Sequence, residues 1–185
     1  MRDVRPVTGE GCQVVEDRRA ELPHGAEAGV LVDRLKERIY ATITMIAVVV
    51  GLSFGDVSAP GAVATVLTTA VGLWLAAFVA DQQAHRTVHR HPATARELRR
   101  MLYVSSPLLS CAVGPAVLIG LAALDVLSLD AALFAAAGVG VLSLFLWGCA
   151  GGLRMGGDAV PAVVAGLADA AIGVAVALVK AAAGH

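Results

Sequence analysis

The sequence predicts an all-α, polytopic membrane protein with five transmembrane helices, and three observations lead there. Hydrophobic residues make up 57% of the 185 and charged residues only 16%, against about 45–50% apolar in an ordinary soluble domain. Five separate apolar runs are long enough to cross a hydrocarbon core of about 30 Å, which takes about 20 helical residues. Of the 14 lysines and arginines, all but Lys180 fall on one side of those runs. Helices are required because each run is apolar all round, whereas a membrane barrel alternates lipid-facing and lumen-facing residues.

Residues 1–33 are polar and mixed in charge, interrupted by Pro6, Gly9, Gly11 and Pro23, and are read as a mobile cytoplasmic tail. Asp3, Glu10, Glu16 and Asp17 precede the first apolar run, which argues against a cleaved secretory signal. The membrane domain is residues 34–185, with spans expected at about 37–54, 60–81, 104–124, 129–150 and 159–181. Span 1 opens on Arg38 and Tyr40, an interfacial anchor, with Thr42 and Thr44 able to return hydroxyl bonds to the backbone and Met45 a packing residue or soft ligand. Span 2 continues without a breaker to Pro92, so its helix projects past the bilayer. Thr94, with Glu97 three residues on, is a capping-box start for the next helix. Pro107, Gly114 and Pro115 predict a kink in span 3. Spans 4 and 5 are rich in small residues: Gly148/Gly152 on one, Ala162, Gly166, Asp169 and Gly173 on the other, with Gly51/Gly55 at the end of span 1. Such surfaces let helices approach closely in lipid, and a compact bundle and a homodimer are expected.

Orientation follows from the loops. Arg34, Lys36, Arg38, Arg86, Arg90, Arg96, Arg99, Arg100 and Arg154 share one side, so the N-terminus is expected in the cytoplasm and the C-terminus outside, in a cell inner membrane. A net charge of -1 gives no basis for a nucleic-acid partner. Cys12, Cys111 and Cys149 define no disulfide framework or zinc spacing. Nucleophile elbows, phosphate loops and dinucleotide fingerprints are absent from the sequence, so no enzyme is expected.

Two sets of residues are candidates for ion chemistry. Asp169 lies near the middle of span 5, where a carboxylate costs about 2.5–3.5 kcal/mol. It is either an ion-coordinating or proton-carrying group, or a protonated carboxyl bonded to a carbonyl or hydroxyl. Asp81, His85 and His89 recur at four-residue spacing along the projecting end of the second helix, a set competent for zinc, manganese or iron, with His91 close by. The alternative there is a solvated basic helix end anchored to headgroups by Arg86 and Arg90.

Thr42-Ile43-Thr44-Met45-Ile46-Ala47-Val48-Val49-Val50-Gly51, the Gly72-Leu73-Trp74-Leu75 stretch through Gln82, and Leu144-Phe145-Leu146-Trp147-Gly148 together resemble the vacuolar iron transporter family over residues 36–182. The resemblance implies five membrane helices, a cytoplasmic N-terminus and transport of a divalent cation. This chain has Tyr40 and Leu75 where the family has acids in its first and second helices, and a short arginine- and histidine-rich link in place of a glutamate-rich metal-binding insert. The Leu73-Trp74-Leu75-Ala76 pattern is also similar to that of small actinobacterial integral membrane proteins. Divalent-cation or proton-coupled transport is therefore expected, with Asp169 as the intramembrane site and Asp81, His85 and His89 as a cytoplasmic access site. The alternative is a non-transporting membrane scaffold or partner-binding protein that keeps the fold without the ion site.

Overall fold

The computed structural model describes residues 10–156 and 158–183, and among them every regular element is a helix: α1 (Glu10–Ser53), α2 (Ala59–His89), α3 (Ala95–Ser110), α4 (Val113–Ala123), α5 (Leu129–Arg154) and α6 (Ala159–Ala183). Four helical stretches are long and apolar enough to cross a membrane: α2, the α3–α4 pair over Ala95–Ala123, α5 and α6. The protein is thus a multi-pass helical membrane protein. α1 differs from the other runs because its apolar part, from Ile39 to Ser53, is short and follows Lys36, Glu37 and Arg38 directly.

Where the sequence reading has a mobile tail over residues 1–33, α1 is helical from Glu10, and residues 1–9 lie outside the described residues. Arg18, Arg19, Ala20, Glu21 and Leu22 are good helix formers, a preference that the lack of apolar periodicity conceals. Further on, α1 is the axis of the bundle. Ala41, Met45, Ile46, Ala47 and Val49 are buried, and α1 packs against α2, α3, α5 and α6. Met45 and Val49 join Val66 and Ala70 of α2, Ile119 of α4 and Leu133 of α5 in one apolar core, while Ile46 and Ala47 join Leu144 and Ala177 in a second.

The helix ends follow local chemistry. Ser58 and Ser128 cap α2 and α5 by accepting from the amides of Gly61 and Ala131. α2 runs unbroken to His89 and ends where Arg90 takes a left-handed conformation (φ 58°) and donates its amide to the Arg86 carbonyl. Thr94 forms the expected capping box with Glu97. The third span breaks at Cys111 and Ala112. Pro107 and Pro115 each lack the N–H that would continue the ladder. Ser106 compensates at Tyr103, its hydroxyl donating to that carbonyl at 2.9 Å.

α5 and α6 form the most extensive helix pair, because glycine brings their backbones into contact. A methyl placed on Gly148 would lie 2.7 Å from the Gly166 Cα, and one on Gly152 would lie 2.6 Å from the Ala162 Cα. These small faces are used within one chain, so they lend no support to a homodimer. Gly51, by contrast, faces open space.

Candidate functional site

The projecting end of α2, the cap at Thr94 and the lower part of α1 enclose a polar cavity of about 280 Å³. α1 contributes Asp33, Lys36 and Glu37, α2 contributes Asp81, His85 and His89, and α3 contributes Glu97 and Arg100. All three residues expected at the access site line this cavity.

His85 is its centre. The residue is 9% exposed, and its Nε2 is buried without a hydrogen-bond partner. Glu97 Oε2 stands 3.7 Å from it, beyond hydrogen-bond range. An orphaned buried ring nitrogen is costly, roughly 1–3 kcal/mol for a neutral group, and calls for a physical reason. The imidazoles of His89 and His91 crowd the same ring, with centroids 4.5 Å and 5.2 Å from that of His85 and 5.8 Å from each other. His91 Nδ1 lies 3.0 Å from the Pro92 carbonyl. As the side chains stand, no group of three or more His, Cys, Asp or Glu among the described residues is arranged to hold a metal ion.

Glu97 precedes the apolar part of its helix. Its Oε2 accepts from the Thr94 amide and hydroxyl, each at 2.7 Å. Those two bonds hold the carboxyl below its ordinary value of 4.5, with His85 and His91 adding smaller electrostatic contributions in the same direction. The folded-state value being depressed, the stabilisation is present above pH about 4.5 and fades as pH falls through the lowered value. Thr94→Ala is expected to cost about 1 kcal/mol and to flatten that acid limb, checked by denaturation in detergent from pH 3 to 7.

Asp169 lies elsewhere. The buried face of α6 is formed by Ala162, Gly166, Ala170, Gly173, Ala177 and Ala181, and Asp169 stands at its edge, exposed. It borders a crevice of about 120 Å³ with Ile39, Ile43, Leu144, Trp147 and Ile172. A methyl on Gly148 would lie 2.6 Å from Asp169 Oδ2, so the carboxylate rests on that glycine.

Two features escaped the sequence reading. Lys180, assigned there to the far end of the last helix, reaches back along α6. Its Nζ donates to Thr44 Oγ1 at 3.1 Å and sits 5.0 Å from the centre of the Tyr40 ring. Long side chains lean toward the helix N-terminus, which is the signal that could have found this contact. The second is a cavity of about 170 Å³ at the α3–α4 break, bordered by Arg38, Thr42, Met45, Ser110, Cys111 and Ser143 among others. Thr42, Ser110 and Ser143 already donate their hydroxyls to the carbonyls of Arg38, Pro107 and Val139, and the Cys111 thiol donates to Leu108. What these groups offer the cavity is therefore acceptor lone pairs.

No family model, curated protein or solved structure matches this chain.

Proposed function

We propose that this chain is a five-span inner-membrane protein, N-terminus in the cytoplasm and C-terminus outside, that moves a divalent cation or protons. The observation that carries the reading is the buried, unpartnered Nε2 of His85, held in a polar cavity with Asp81 and Glu97 beside it. The cavity at the kink of the third span, where the Thr42, Ser110 and Ser143 hydroxyls stand with the Arg38 guanidinium, offers a second polar space along the bundle. The likeness to vacuolar iron transporters belongs to this reading as its topological part. Cation loading would begin at Asp81, His85 and His89, and Asp169 would be the charge midway along α6, at the edge of its packed face.

A scaffold without transport is the competing reading, favoured by one arrangement. Asp169 sits against isoleucine, leucine and tryptophan rather than other ligands, and Tyr40 faces the Lys180 ammonium. Flux in proteoliposomes separates the two. Transport of iron, manganese, zinc or protons by the wild type, reduced at least tenfold in His85→Ala/His89→Ala and in Asp169→Asn, is the expected result. Wild-type flux equal to that of empty liposomes for all four would establish the scaffold.

A further inference from the structure

We propose that the α2–α3 connection is a transition-metal site built from His85, His89, His91 and Glu97, selective for a nitrogen-preferring divalent ion over magnesium or calcium. This deepens the transport reading and rests on it only for the fate of the ion. The ligand set differs from the one expected from sequence spacing: His91 and Glu97 enter, and Asp81 becomes a neighbour.

Geometry sets the choice. An imidazole nitrogen binds zinc at about 2.0–2.1 Å, which places the ring centre about 3 Å from the metal, so two rings on a tetrahedral ion have centres about 5 Å apart. The three ring pairs here measure 4.5, 5.2 and 5.8 Å. Two donor atoms on such an ion lie about 3.3 Å apart, and His85 Nε2 and Glu97 Oε2 are 3.7 Å apart. The missing partner of His85 Nε2 is then the metal. His91 already has a suitable outer contact, since Nδ1 donating to the Pro92 carbonyl leaves Nε2 as a free lone pair. His89 and His91 are exposed, so the rotamer changes that would bring their nitrogens together are open to them.

The backbone supplies the convergence. His85 and His89 are one turn apart on α2. The left-handed Arg90 then reverses the chain, which sets His91 against both rings, and the capping box fixes Glu97 one turn into α3. Three imidazoles and one carboxylate suit zinc, cobalt, nickel or copper, whereas magnesium and calcium take oxygen ligands.

The test is Co²⁺ titration of the tag-free full-length protein in detergent, followed by visible absorption, with Zn²⁺, Mg²⁺ and Ca²⁺ as competitors. One equivalent per chain with a tetrahedral spectrum, displaced by Zn²⁺ and untouched by Mg²⁺ or Ca²⁺, is expected. His91→Ala and Glu97→Gln should each weaken binding at least tenfold, and Asp81→Asn by less than threefold. Because His91 is exposed, its variant keeps the fold, verified by an unchanged melting profile. Absence of Co²⁺ binding, or affinity indifferent to His91→Ala, overturns the site. Binding with these ligand dependences but without flux keeps the site and removes the transport reading; flux with His91-independent binding does the reverse.

Discussion

Gly166→Val is expected to abolish the folded protein, and Gly166→Ala to lower its stability by about 3 kcal/mol, the upper end of overpacking costs. The reason is what a side chain would meet. A single methyl at Gly166 would lie 2.5 Å from Cys149 Sγ and 2.6 Å from the Phe145 carbonyl oxygen. A flexible side-chain end can swing away, but a backbone carbonyl moves only with its helix. Relief therefore requires α5 and α6 to separate along their shared seam, which also loosens Gly148 from Asp169 and Gly152 from Ala162. Gly138→Ala and Gly151→Ala are the controls, since a methyl at either meets nothing within 4 Å. Each should leave the protein intact or raise its stability by about 0.5–1 kcal/mol through the better helix propensity of alanine. Thermal unfolding in detergent, read by tryptophan fluorescence and size exclusion, gives the ranking. Equal melting of Gly166→Ala and Gly151→Ala would contradict close contact at this seam.

On the proposed transport function, Pro107→Ala/Pro115→Ala is expected to suppress flux at least tenfold while leaving a folded protein. A proline inside a helix costs about 3 kcal/mol in lost hydrogen bonding and steric conflict. The third span carries two around its break, and restoring both N–H groups lets the helix continue through Cys111 and Ala112. A straight helix would close the cavity that Thr42, Ser110 and Ser143 border. Both prolines are buried, so losing the rings removes some apolar contact and offsets part of the gain. The melting temperature should consequently move by only a few degrees. Undiminished flux in this variant would separate the cavity from the route of the ion.

Much of the architecture was legible in the sequence. Apolar runs located the four helical stretches long and apolar enough to cross a membrane, Thr94 with Glu97 announced a helix start, and Pro107 with Pro115 announced the kink. The role of α1 was less legible, since the burial of Ala41, Met45, Ile46, Ala47 and Val49 among neighbouring helices is tertiary and leaves no signature in hydropathy. Asp169 shows how fine the angular margin is. One residue turns a helix face by about 100°, and the buried stripe runs through Ala170 rather than through the carboxylate beside it. In the polar cavity, four-residue spacing placed Asp81, His85 and His89 together, because that relation is local to a helix. It could not deliver Glu97, whose approach to His85 depends on how α3 folds back on α2.

The length of α2 ties the histidine cluster to bilayer thickness. From Ala59 to His85 the helix rises about 39 Å, roughly 9 Å more than an average hydrocarbon core. In a thin bilayer that overhang holds the imidazoles among or above the headgroups, within reach of ions concentrated at an anionic surface. In a thicker, more ordered one the same histidines would be drawn toward the acyl chains, where a divalent charge is poorly solvated, so hydrophobic mismatch would control loading of the proposed metal site.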